Sequence, residues 1–167
     1  ENAFYHQAVV LEKAGVDLFS IETMIDIEEA VLAVKAIRNI SEKPIIANMT
    51  YSQTGNGYYT VMGNSLAECT QKFLDAGADI IGTNCNLDSV ELHELAEELL
   101  SLTTTSISIK PNAGQPVLNG DTVSYGQSAE EFVDGMMKIH QLGIQILGGC
   151  CGTTPEYINQ LADQLKQ

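Results

Sequence analysis

Ile144-Gln145-Ile146-Leu147-Gly148-Gly149-Cys150-Cys151-Gly152-Thr153-Thr154-Pro155-Glu156 passes from an apolar run, through glycines and a double cysteine, into a capped helix start. Neighbouring side chains on a strand point to opposite faces. Two adjacent cysteines aimed at one target therefore need an unusual backbone, and the flanking glycines supply that freedom. Gly82-Thr83-Asn84-Cys85 repeats the theme at the end of another apolar run. Three thiols at two strand ends suggest a soft-metal site one ligand short of a closed tetrahedron. That is the arrangement of a catalytic rather than a structural zinc.

The same alternation runs outward along the chain. Short apolar runs at 16–21, 44–49, 79–82, 105–109 and 144–147 read as buried parallel strands. Helices are predicted over 27–39, 66–76, 89–101, 129–142 and 155–166, with residues 1–14 forming an earlier helix that closes on Gly15. Four starts carry a polar cap followed three residues later by glutamate: Asp26 with Glu29, Ser65 with Glu68, Asp88 with Glu91, and Ser128 with Glu131. Thr154 with Pro155 marks a fifth. The pieces 51–63 and 111–127 read as irregular loops. Glu22, Asn48, Thr50, Asn84, Cys85, Asn112 and the 148–152 segment all fall just after a strand and before the next helix. A parallel barrel gathers such positions on one face, whereas an open doubly wound sheet concentrates its ligand at one switch point. The expected fold class is α/β, a parallel (β/α)8 barrel here incomplete at about five units, in a single domain over 1–167.

Composition narrows the function. The chain has 167 residues, eight Lys and Arg against 22 Asp and Glu, and a net charge of −14. Nucleic-acid binding through phosphate neutralisation needs the opposite balance, and anionic membranes repel such a chain. Glu1–His6 shows no secretory signal. Four cysteines without the spacing of a small disulfide scaffold point to a reducing, cytoplasmic setting.

The run Gly148–Glu156, together with Ile21-Glu22-Thr23, Gly82-Thr83-Asn84-Cys85 and Pro111-Asn112-Ala113-Gly114, resembles the zinc-dependent homocysteine S-methyltransferases. The Pro-Asn-Ala-Gly and Cys-Cys-Gly-Thr-Thr-Pro segments are most similar to the homocysteine-binding domain of the cobalamin-dependent branch that makes methionine. The resemblance implies zinc on Cys85, Cys150 and Cys151, and homocysteine held as a thiolate. It implies a methyl donor that comes from cobalamin or methyltetrahydrofolate in other modules. It also implies that the first barrel strands, with a loop that grips the amino-acid end, are missing here. Activity of this chain alone is accordingly not expected, and open sheet edges invite self-association. A structural zinc protein or a non-catalytic half barrel is the alternative reading.

Individual residues can be weighed beside the resemblance. Glu22 is suited to the substrate ammonium, against a plain solvated carboxylate. Asn84 and Asn112 are candidates for the substrate or for orienting the thiolates, against ordinary turn chemistry. Gly148 and Gly149 are expected to aim the cysteines. Cys69 lies mid-helix and reads as a small buried hydrophobe. His6, His93 and His140 fall on predicted helices, away from the strand ends.

Overall fold

The computed structural model describes residues 2–166. In chain order the elements are α1 (Asn2–Ala14), β1 (Phe19–Met24), α2 (Ile27–Arg38), β2 (Ile45–Met49), β3 (Ser52–Thr54) and β4 (Gly57–Tyr59). Then come α3 (Leu66–Ala76), β5 (Ile80–Asp88), α4 (Leu92–Leu102), β6 (Ser106–Asn112) and β7 (Pro116–Asn119). The chain ends with β8 (Thr122–Tyr125), α5 (Ala129–Gln141), β9 (Ile146–Leu147) and α6 (Pro155–Leu165).

Five strands form one parallel sheet in the order β1-β2-β5-β6-β9, which is also their order in the chain. Successive helices pack on one another alongside it, α1 on α2 through α5 on α6. The core lies between the helices and the sheet. Every residue of β2 is buried, as a strand in the interior of a parallel sheet requires. Ile27, Val34, Phe73, Leu95, Leu99, Phe132 and Ile139 meet it from the helices. Each such side chain contributes about 1.5–3 kcal/mol on burial.

Helix ends explain themselves locally. Ser128 and Glu131 form the full reciprocal capping box of α5. Ser65 caps Glu68, but Glu68 turns to Asn64 and Lys72 and does not return the bond. Asp26 caps Glu28 rather than Glu29, and the Thr154 hydroxyl caps nothing. Asp88 and Glu91 do bond reciprocally, yet the turn they close precedes α4, which starts at Leu92 and not at 89. At the opposite end of the sheet, Arg38 reaches Gly77 O at 2.8 Å and Lys43 O at 2.7 Å and pairs with Asp79. The Asp79 carboxylate in turn accepts from Ile45 N at 2.8 Å. This node fixes the entries of β2 and β5.

Three expectations need correction. The strands run further toward their carboxyl ends than the apolar runs suggest. Thus Glu22, Asn84, Cys85 and Asn112 stand within the last residues of strands, not after them, and Asn48 lies inside β2, which ends at Met49 as its apolar run does. The cause is the ladder itself: Asn84 pairs with Lys110 and Asp88 with Asn112, so backbone bonds continue through polar residues. Conversely 144–147 yields only the two-residue β9, which pairs with β6 alone. Finally, 51–63 and 111–127 are not irregular throughout. Each folds back as an antiparallel hairpin, β3 with β4 and β7 with β8.

Candidate metal centre

Cys85 reaches the site through a break in a strand. Cys85 and Asn86 both adopt left-handed backbone, at φ 67° and 64°, and the register of β5 against β6 slips between Asn84 and Asp88. Such a conformation costs a non-glycine residue about 1 kcal/mol or more, so surrounding bonds must impose it. Thr50 Oγ1 donates to Asn84 O at 3.0 Å, and Asn86 Nδ2 donates to Tyr51 O at 2.8 Å. Gln115 Nε2 donates to Asn86 O at 2.7 Å. The bulge takes Cys85 out of the alternation and turns it toward the mouth of the sheet.

The double cysteine is held differently. Its loop is stitched to the end of β6: Gly148 N donates to Ile109 O at 3.1 Å and Cys150 N to Pro111 O at 2.7 Å. Cys151 N donates to Asn112 Oδ1 at 3.0 Å, and Cys151 O accepts from Ala113 N at 2.9 Å. Gly148 and Gly149 do not adopt positive φ, contrary to the idea that they aim the cysteines by backbone freedom. They provide room instead. A Cβ on Gly149 would lie 2.5 Å from Thr153 Oγ1, and one on Gly148 would press on the Lys110 stem. Gly152 does need its freedom, at φ 81°, and a Cβ there would strike the Tyr125 ring at 2.3 Å.

The result is one cluster. The sulfurs of Cys85, Cys150 and Cys151 all lie within 4.8 Å of one another, with Cys85 Sγ 3.7 Å from Cys151 Sγ. A tetrahedron with Zn–S bonds of about 2.3 Å has edges of about 3.8 Å, so the spacing fits a metal of that size. Cys150 is half-buried and Cys151 exposed, which leaves one side of the cluster open. Burial pushes the Cys150 thiol up, and the neighbouring Cys85 adds to this, while the Asn84 amide pulls the other way. A bound cation reverses such a balance by favouring thiolates. Asn84 is fully buried and already occupied. Its Oδ1 accepts from Thr23 N at 2.7 Å, and its Nδ2 donates to Thr23 Oγ1 at 2.8 Å and to Cys150 Sγ at 3.5 Å. Asn84 thus bonds one thiol of the cluster, and Asn112 bonds the backbone amide of another cysteine.

Glu22 stands in β1 with its carboxylate accepting from Ser20 Oγ at 2.8 Å and from Lys110 Nζ. Burial raises its pKa, but the bonds from Lys110 and Ser20 outweigh this and hold it below the usual carboxylate value. Ser20 and Glu22 also line a cleft of about 330 Å³ beside β1, walled by Phe4, Leu11, Phe19 and Ile21. Lys110 and Tyr125 were not singled out from the sequence. The signal for Lys110 was a lone cation closing the apolar run 105–109. Cys69 is fully buried in α3, with its thiol pushed up to about 11 by burial. His6, His93 and His140 lie on α1, α4 and α5. None of these four belongs to the cluster, among the described residues.

Comparison with known proteins gives the family. The homocysteine S-methyltransferase family model matches residues 1–165, and the chain belongs to that family. It is 28% identical, over 96% of its length, to methionine synthases of Mycobacterium leprae and Mycobacterium tuberculosis. It spans only 14% of the length of those two relatives. Among solved structures, it superposes on the metallated homocysteine methyltransferase MmuM of Escherichia coli with a TM-score of 0.77 at 20% identity. That match covers 98% of this chain and 51% of MmuM. The apo form of MmuM gives a TM-score of 0.76, also at 20% identity, over 98% of this chain and 57% of that one. These likenesses establish the barrel-type α/β fold, here with five strands.

Proposed function

We propose that this chain is the zinc-carrying part of a homocysteine S-methyltransferase of the methionine synthase type. Cys85, Cys150 and Cys151 would hold the metal, and Asn84 and Asn112 would orient two of them. The single observation that carries the reading is the three-sulfur cluster with its 3.7 Å edge. Bound there, zinc would lower the pKa of a coordinated thiol so that the substrate is a thiolate near neutral pH.

The chain's own residues do the rest. The open side of the cluster admits the substrate sulfur, and the Glu22 carboxylate takes the substrate ammonium. The thiol proton leaves to solvent. The sulfur then forms a bond to the methyl carbon as the bond from methyl to donor breaks, and the donor keeps that electron pair. The product is methionine. The donor, cobalamin or methyltetrahydrofolate, would be presented by other modules, in keeping with the greater length of the methionine synthase relatives. No helix among the described residues is long and apolar enough to cross a membrane. The four cysteines, without the spacing of a disulfide scaffold, favour a reducing, cytoplasmic setting for the reaction.

Zinc stoichiometry tests this. One zinc per chain is expected for wild type, retained on adding homocysteine, and none for Cys150→Ala. Equal zinc in wild type and variant would refute the ligand set.

A further inference from the structure

Lys110 is the one basic residue on a strand among the described residues, and the other seven stand on helices or in connections. Its side chain is only 17% exposed. Drawing an ammonium inward costs free energy unless it is paired. A partly exposed ion pair returns little of that as stability, so stability alone does not account for the placement.

The bonding is incomplete in a particular way. A lysine ammonium has three N–H donors. Two are spent, on Ser20 Oγ at 3.2 Å and on Glu22. Glu22 accepts both of its side-chain bonds on Oε1 and leaves Oε2 free. The lysine stem is set by Gly148, where a Cβ would approach Lys110 Cγ at 3.2 Å. The pair is linked to the thiol cluster through Asn84: Glu22 precedes Thr23, whose hydroxyl accepts from Asn84 Nδ2 at 2.8 Å, and the same amide donates to Cys150 Sγ at 3.5 Å. Lys110 is in register with Asn84, the residue before Cys85, and precedes Pro111, whose carbonyl holds Cys150.

We propose that Glu22 and Lys110 together form a receptor for a zwitterionic α-amino-acid thiol, with Lys110 taking the substrate carboxylate while Glu22 takes the ammonium. The ion pair seen here is then the resting form, which opens and exchanges partners when the substrate enters. One cation and one anion, each with an unused bonding direction, match the two ends of an amino acid and no simple thiol. The inference rests on the reading that a substrate thiol binds at Cys85, Cys150 and Cys151.

The test uses cobalt in place of zinc and follows the sulfur-to-cobalt absorption as thiols are added. Three probes separate the ends of the substrate: homocysteine, 3-aminopropane-1-thiol without the carboxylate, and 4-sulfanylbutanoate without the ammonium. Ratios of affinity are compared, so weak absolute binding does not matter. Lys110→Gln removes the charge but keeps a donor toward Glu22. It is expected to weaken homocysteine and 4-sulfanylbutanoate about tenfold, the scale of one charge-assisted hydrogen bond. The same change should leave 3-aminopropane-1-thiol unchanged or tighter, because Glu22 loses its competing cation. Glu22→Gln should show the mirror pattern, and it keeps the idea testable should the lysine variant fold poorly. Equal weakening of all three probes in Lys110→Gln, or no weakening, overturns the role of Lys110 while leaving the thiol site intact. Failure of wild type to bind any probe through sulfur overturns the proposed function itself, and this inference with it.

Discussion

Two regions deliver thiols to the same point by opposite means. Cys85 comes from a nine-residue strand paired on both sides, bent out of alternation by two left-handed residues. Cys150 and Cys151 come from a loop after a two-residue strand, held by the end of β6 and crowded by Tyr125. The first region stores backbone strain within a stable element, and the second relies on borrowed hydrogen bonds. A site on a rigid strand is precise but costly, while a site on a stitched loop is cheaper and depends on its neighbour. Substitutions in the two regions should therefore divide differently between stability and metal binding.

The largest effect is expected at Cys85. Cys85→Gly should stabilise the metal-free protein by about 0.5–1 kcal/mol, because glycine accepts φ 67° without strain. The same change should weaken zinc about a hundredfold or more, since a full zinc site supplies about 10–16 kcal/mol in all. Chemical denaturation and chelator competition read the two quantities. Loss of stability together with metal would show that Cys85 is not strained.

A buried thiol outside both regions serves as a contrast. Burial raises Cys69 from 9.0 to about 11, and the Tyr51 hydroxyl beside it is raised as well. The folded state thus holds the Cys69 proton more tightly than the unfolded state. Its contribution is fully present below pH 9 and lost as pH rises toward 11, a drop of roughly 3 kcal/mol at most. Cys69→Ala should flatten that alkaline slope in urea melts of the metal-free protein. An unchanged slope would place the loss elsewhere.

In the loop, Gly152→Ala should cost about 1–3 kcal/mol, from positive φ and the Tyr125 clash together. Pairing it with Tyr125→Ala should recover part of that loss, and a thermal-melt cycle shows whether the two couple. Asn112→Ala is expected to have the smallest effect, about a tenfold loss of zinc affinity with little change in melting, because it only frees the Cys151 amide. An equal loss from an exposed α6 substitution would remove the case for Asn112.

Much of this division could be read from residue types, and some of it could not. The double cysteine, the glycines and Cys85 at the end of an apolar run were sufficient to nominate the ligand set. The β–α alternation gave the parallel sheet in its observed order. The left-handed turn at Cys85 was not legible, because it is imposed by Thr50, Tyr51 and Gln115 from other strands and loops. Polar residues inside strands were read as loop for the same reason: the ladder, not local composition, carries β5 through Asn84 to Asp88. The hairpins had a usable signal in the two-residue turns Gly55-Asn56 and Gly120-Asp121. Their strands are too polar and too short to show an apolar alternation.

The most direct test of the central claim is X-ray absorption at the zinc edge of the metal-loaded protein, with and without homocysteine. The expected result is three sulfurs at about 2.3 Å plus one lighter ligand, changing to four sulfurs when homocysteine is added. A shell of four sulfurs before homocysteine, or three sulfurs unchanged by saturating homocysteine, would contradict a three-cysteine site that opens to the substrate thiol.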